Sequence, residues 1–211
     1  MKNMKFLWIV VVGLLTALPA TRAQDLKKSA GKYVINLGDS KVNWTGKKPG
    51  GAHEGFVSLA SGELNVDNNE IKGGSFVIDL GSIVNTDLKD ENMNGKLIGH
   101  LKSADFFDVA KFPTARFEIT KVTKLSGNAA TRAPKSTHNI EGNLTMKGIT
   151  KKVSFDASIN MLNGKLTASS LPFTIDRTQW GVNYQSKSIF AELKDQFIYD
   201  DITLTVDLVT K

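Results

Sequence analysis

Apolar and polar residues alternate along most of the chain. Phe76, Ile78 and Leu80 fall on one face with Val77 and Asp79 on the other, and Ile202, Leu204, Val206 and Leu208 alternate with Thr203, Thr205 and Asp207. Ile140, Leu144 and Met146, then Val153, Phe155, Ala157 and Ile159, then Leu166 and Ala168 running on to Phe173 and Ile175, continue the pattern. A period of two marks half-buried strands. Turn-forming residues separate them at Gly38-Asp39, Asp67–Glu70, Lys147-Gly148 and Asn163-Gly164. Ahead of these lie strand pieces at Tyr33–Ile35 and Val42–Thr45, a loop at Gly46–Gly51 containing Pro49, and strands at His53–Leu59 and Gly62–Val66. The one helical pattern is Thr86–Leu101, with Thr86 and Asp87 suited to its amino end and Leu88, Met93, Leu97 and Leu101 as its apolar side. Gly95 and Gly99 predict breaks in it. About eight to ten strands and one helix indicate an all-β domain, an antiparallel sandwich or closed barrel, with a helical insertion near residues 86–108.

The stretch Gly99–Thr120 joins these parts. Leu97 and Leu101 sit four apart and stack on one helical face, and Ser103-Ala104-Asp105 reads as the start of a second short turn. Phe106 and Phe107 follow, and then Phe112-Pro113, where the proline ring drives the chain into an extended exit. Arg116–Thr120 alternates again as a strand. Three aromatics at one corner form a plug at one end of the barrel or sandwich; they are either core beneath a loop or the border of a cavity for an apolar ligand. Leu125–Thr137, rich in Ser, Gly, Asn, Ala and Pro, is a loop or a long hairpin tip.

A barrel with its apolar side facing lipid would also alternate. Strands of about five to eight residues, against the roughly nine to eleven a membrane strand needs, argue against it. An aromatic content of 8% leaves little material for two girdles. A barrel of about eight strands that stays in water has an interior just able to hold a small elongated ligand.

Composition adds an address. Lys2 and Lys5 precede the apolar run Phe6–Leu15, Pro19 follows, and Thr21-Arg22-Ala23 offers a small-residue cleavage site, so residues 1–23 read as a secretory signal. Residues 24–32 read as a flexible leader and 33–211 as the folded domain. The 211-residue chain has 27 basic and 21 acidic residues; cleavage would remove three basic residues and no acid. With no cysteine, an exported fold must rest on its core without disulfides. The lysines are scattered singly or in pairs, with no arginine-rich stripe interleaved with aromatics, so nucleic acid is not the expected partner.

No catalytic motif stands out. His53, His100 and His138 are far apart in sequence and in no metal-ligand spacing; His53 and His138 read as strand-surface residues and His100 as a partner for helix-end carbonyls. There is no nucleophile elbow, phosphate loop or dinucleotide fingerprint. Gly73-Gly74-Ser75 reads as a bulge or a tight strand entry. Arg177, after apolar Phe173 and Ile175, would be expensive to bury alone. It is expected either in a corner salt bridge, with Asp176 or a carboxylate on a neighbouring strand, capped by Trp180, or at a cavity mouth holding an anionic or carbonyl head group.

Several blocks in order now carry a resemblance: Gly51-x-His53-x-Gly55, Gly73-Gly74-x-Phe76-x-Ile78-Asp79, His100-Leu101-Lys102-Ser103-x-Asp105-Phe106-Phe107-Asp108, Phe112-Pro113, Gly142-Asn143-Leu144-Thr145-x-Lys147-Gly148 and Asp176-Arg177-x-x-Trp180-Gly181. Together, from Tyr33 to Leu208, they resemble the YceI-like family of lipid- and polyisoprenoid-binding domains. Asn36–Asp39 departs from the Asp and His that many members carry in the first strand. The resemblance implies a lipocalin-like barrel of eight antiparallel strands with a helical insertion, exported to the periplasm, enclosing a tunnel for a long isoprenoid such as a quinone or its precursor. In that reading Trp44, Phe76, Ile78, Phe117, Leu144, Phe155 and Phe173 line the barrel. Leu97, Leu101, Phe106 and Phe107 cover one end, Arg177 and Trp180 stand at the mouth, and burial alone holds the tail at about 25 cal/mol per Å². The expected function is a carrier or buffer for an apolar lipid, with no catalytic residue, no metal, no cofactor beyond the bound lipid or quinone, no membrane span in the mature chain, and a homodimer left open. The competing readings are a barrel enzyme acting on a small apolar substrate, and a protein-binding module with a packed interior.

Overall fold

A computed structural model describes residues 30–126 and 135–211. The expected signal (1–23), most of the expected leader and the middle of the Leu125–Thr137 loop lie outside the described residues. Among those described, the order is β1 (Gly31–Val34), β2 (Lys41–Lys48), β3 (Gly51–Asp67), β4 (Glu70–Asp79), β5 (Val84–Asn85), α1 (Glu91–Lys102), β6 (Thr114–Lys124), β7 (His138–Met146), β8 (Ile149–Leu162), β9 (Lys165–Ser170), β10 (Phe173–Asp176) and β11 (Asp201–Val209).

The strands pair antiparallel in the cycle β3-β2-β11-β9-β8-β7-β6-β4, and β4 returns to β3, closing an eight-stranded barrel. Closure removes the free edges that an open sheet would present. Three short strands extend the staves: β1 pairs with the far half of β3, β5 with its near half, and β10 with β11. Hairpin geometry follows from turn chemistry. Asn68 (φ 52°) with Asn69 (φ 62°), Lys147 (φ 49°) with Gly148 (φ 76°), and Asn163 (φ 52°) with Gly164 (φ 78°) each form a two-residue loop with both central residues left-handed, the twist that matches a right-handed hairpin.

Five expectations change. The leader ends earlier, because Gly31 and Lys32 already pair with Val66 and Asn65. His53–Leu59 and Gly62–Val66 are one strand: Ala60 is an extra residue between the pairs Leu59↔Ile78 and Ser61↔Val77, a bulge that bends β3 where it passes from β2 to β4. Strands are also longer than expected, with 17 residues in β3 and 14 in β8, so strand length does not separate this barrel from a lipid-facing one. The burial pattern does. Ala115 and Phe117 point inward while Arg116, Glu118 and Lys121 are exposed, the reverse of a lipid-facing barrel. No helix among the described residues is long and apolar enough to cross a membrane.

The helix also starts later. Asp90 is its N-cap, accepting from Met93 N at 2.8 Å, whereas Thr86 N donates to Glu54 O at 2.9 Å and so belongs to the barrel rim. Gly95 and Gly99 do not break it. An added Cβ at either would meet nothing within 4 Å, so both lie on the open side, as does Met93, 58% exposed. Ser103 ends the helix, its Oγ donating to His100 O at 2.8 Å.

The core fills the barrel unevenly. Leu64, Val66, Ile71 and Leu166 close the end away from α1. Phe76, Phe117, Phe155 and Phe173 cross the middle in a row, with ring centroids 5.4, 5.6 and 4.4 Å apart in succession.

Candidate functional site: an apolar chamber under the helix

A cavity of about 170 Å³ lies at the α1 end. Strand alternation sends Val42 and Trp44 from β2, Ile78 from β4, Leu144 and Met146 from β7 and Leu204 from β11 into its wall. Leu97 and Leu101 of α1 and the corner residues Phe106 and Phe107 form its cover. Apart from Lys48, His53 and a few other groups at the rim, the wall is hydrocarbon. An apolar void of about 150 Å³ stays dry and takes up benzene-sized molecules, so this chamber is large enough to receive part of a hydrocarbon chain.

The cover is held by backbone and ring contacts. Phe107 N donates to Leu101 O at 3.1 Å and Phe112 N to Asp108 O at 2.8 Å, while Lys147 Nζ donates to Phe106 O at 2.6 Å, tying the corner to the β7–β8 turn. Phe106 is buried, with the His100 and Tyr184 rings at 5.0 and 5.5 Å. His100 therefore belongs to this aromatic cluster and reaches Asp105 at 3.3 Å; it does not serve the helix-end carbonyls, which Ser103 takes. Phe112, the third corner aromatic, is absent from the chamber wall and sits beside Gly148 of the β7–β8 turn.

Below the chamber the interior tightens. Two further voids of about 30 Å³ each lie among Phe76, Phe117, Phe155 and their neighbours, Phe173 bordering one of them. These four residues, expected to line a tunnel, border these small voids but not the chamber, and their rings pack against one another, Phe76 and Phe117 as register partners on the adjacent strands β4 and β6, so that together they form a partition. The interior is hollow at one end and knit shut at the other, so the packed-interior reading describes only the far half.

Arg177 is 1% exposed and its fork is spent. Nε donates to Tyr199 O at 3.2 Å, Nη1 to Val182 O at 2.7 Å and Nη2 to Ile198 O at 3.1 Å, with Asp200 at 3.6 Å. Although it borders the chamber, this guanidinium is not available to a head group: a buried cation is retained only with its donors satisfied. Burial pushes its pKa down, against the pull of Asp200 and Asp176. The carboxylate beside it is Asp200, just before β11, while Asp176 instead caps the following turn by accepting from Thr178 N at 2.9 Å. Trp180, 2% exposed, does not reach the chamber; its indole N–H donates to Leu144 O at 3.1 Å and locks that turn onto β7.

The residue that sequence reasoning misplaced is His53. Being at an inward position of β3, it lines the chamber, and its Nδ1 lies 2.8 Å from Asp87 Oδ2. Asp87 also accepts from Glu54 N at 2.8 Å and from the Asn85 amide. Burial raises the Asp87 pKa, but the hydrogen bonds from Glu54, His53 and Asn85 outweigh it and bring it down to about 2. The signal was the inward parity of His53 with Gly55 and Val57, and a resolved helix start would have freed Asp87 to be its partner. The described residues contain no group of three or more side chains able to hold a metal ion.

Comparisons with known proteins agree with this architecture. A UPF0312 protein of Staphylococcus aureus is 27% identical over 140 residues, covering 64% of this chain and 69% of that protein. A UPF0312 protein of Pseudomonas aeruginosa is 41% identical over 76 residues, 36% of this chain and 35% of that protein, so this match spans about a third of its length. Among solved structures, BcnA of Burkholderia cenocepacia superposes with a TM-score of 0.61 at 22% identity, covering 84% of this chain and 99% of that one. A polyisoprenoid binding domain from Saccharophagus degradans, implicated in plant cell wall breakdown, gives 0.60 at 14% identity over 87% and 99%. The family model for the YceI-like domain matches residues 33–210, the span that builds the barrel, its helix and its corner, and the chain belongs to that family.

Proposed function

We propose that this protein binds the tail of an isoprenoid lipid, of quinone or polyprenyl type, in the chamber beneath α1, and serves as a carrier or buffer for it in the cell envelope. The observation that carries the reading is a void of about 170 Å³ with an almost entirely hydrocarbon wall. Each Å² of tail that leaves water contributes about 25 cal/mol, so holding it needs no reacting group. The polyisoprenoid binding domain that shares the fold supports the same ligand class. Export to the periplasm, read from residues 1–23, is part of the proposal. The chamber takes part of a chain as it stands; a long chain needs the aromatic partition to yield. The deciding experiment is mass spectrometry of organic extracts from protein purified out of its native envelope. A prenyl lipid in stoichiometric amount is the expected result, and material that releases no apolar molecule on denaturation would overturn the reading.

A further inference from the structure

The rim of the chamber carries an open polar notch. On the β2–β3 hairpin the inward positions run Trp44, Gly46, Lys48 on one strand and Gly55, His53, Gly51 on the other, with Trp44 opposite Gly55, Gly46 opposite His53 and Lys48 opposite Gly51. Inward side chains on paired strands stand about 5 Å apart, so each of the three rungs joins one large residue to one glycine. The rungs differ in what fills the glycine side. Over Gly55 the space is taken by Val84 and the Trp44 ring, whereas a Cβ added at Gly46 or at Gly51 would meet nothing within 4 Å. Glycine at such a position leaves the backbone approachable.

Two nitrogen groups border this space. Lys48 lines the chamber and its ammonium has no carboxylate partner among the described residues. His53 lines the chamber from the neighbouring rung, its Nδ1 engaged by Asp87 and its Nε2 without a partner among the described residues. We infer that the notch between Lys48 and His53 receives the anionic end of a single-tailed lipid, a phosphate or a carboxylate, whose tail lies in the chamber. The inference rests on the binding reading above and narrows it to a polyprenyl lipid with an anionic end, since a quinone head carries no charge.

The chemistry is consistent across the notch. Asp87, at a pKa of about 2, keeps no proton, so the hydrogen in the His53–Asp87 contact sits on Nδ1. That leaves Nε2 to face the ligand, with the ring held in place through Nδ1 by Asp87. Lys48 supplies charge without a fixed geometry, and the neighbouring Lys47 adds to the field. Asp87 is the opposing charge, already engaged by three donors. Asn94 of α1 donates to Asn85 O at 3.2 Å, which fixes the network against the cover.

The test compares farnesyl phosphate, farnesoic acid and farnesol binding to the full-length protein stripped of lipid, by calorimetry at low and high salt. The expected result is an anion preference over farnesol of about ten-fold at low salt, shrinking as salt rises. In Lys48→Gln, and independently in Gly46→Val, which fills the notch from the backbone side, the ratio falls towards one. The tighter of the two anions identifies the head group. Equal binding of all three ligands, or a preference that survives both substitutions, overturns the inference while leaving the chamber reading intact. Absence of binding by any of the three overturns both.

Discussion

The rings of Phe155 and Phe173 stack 4.4 Å apart at an interplanar angle of 14°, and through Phe117 and Phe76 they complete a partition between the chamber and the closed end of the barrel. Phe155→Ala is expected to join the chamber to the small voids beneath it. Longer prenyl alcohols should then gain affinity relative to farnesol, and the unfolding free energy should drop by about 3–5 kcal/mol, the usual cost of a buried Phe→Ala change. Competition binding and urea denaturation measure the two effects, and an unchanged chain-length preference would show that the partition is not what limits the tail.

Phe106 and Phe107 close the chamber from above. Since affinity differences between related complexes reside mainly in dissociation, replacing both with Ala is expected to speed lipid release by about ten-fold or more with a smaller effect on association. Stopped-flow release of a bound prenyl lipid into vesicles is the measurement. Release at the wild-type rate would remove the corner from the gate.

Arg177 and Asp200 form a pair at 3.6 Å in which the cation is almost wholly buried. Taking away the carboxylate leaves an uncompensated buried charge, so Asp200→Asn is expected to cost about 3 kcal/mol, read from urea or thermal unfolding. A cost below about 0.5 kcal/mol, typical of surface pairs, would mean that the three backbone carbonyls alone satisfy the guanidinium.

Acid should weaken the fold for a defined reason. The folded-state pKa of Asp87 is lowered from 3.8 to about 2, against burial, by hydrogen bonds from Glu54, His53 and Asn85; that of Asp200 is also lowered, burial being outweighed by Ser186, Ser188 and Arg177. For a depressed carboxyl the stabilisation is fully present above the unfolded value and is lost as pH falls through the folded one. Melting temperature is therefore expected to hold above about pH 4 and fall between there and about pH 2. Asp87→Asn should flatten that limb, and a limb of unchanged slope would assign it to other groups.

Trp180 holds the turn after β10 onto β7 through one hydrogen bond, from its indole N–H to Leu144 O at 3.1 Å. Trp180→Phe removes that buried hydrogen bond while the carbonyl keeps its place in the β7–β8 ladder, and is expected to cost about 1 kcal/mol, measured by thermal unfolding with the chamber's lipid affinity as the second readout.

The sequence by itself determined the local structure. Alternation specified the inward face of each strand, and Asn163-Gly164 and Lys147-Gly148 specified tight hairpins, because side-chain parity and left-handed turns depend only on neighbouring residues. The corner at Phe106 and Phe107 was legible for the same reason, as apolar bulk at a break in the pattern. What only the tertiary structure decided is what meets across the barrel. Four phenylalanines that parity places inside could line a tunnel or touch in its middle, and the pairing of β4 with β6 sets Phe76 beside Phe117 while the fold brings Phe155 against Phe117 and Phe173. For Arg177 the sequence left the head-group role standing beside the corner salt bridge, until Val182, Ile198 and Tyr199, which follow it in the chain, folded back to take its donors. His53 gained its partner only when the helix began at Asp90 and left Asp87 on the rim. Most of these contacts join residues far apart in the chain, and their free energy depends on distance and burial that no local pattern encodes.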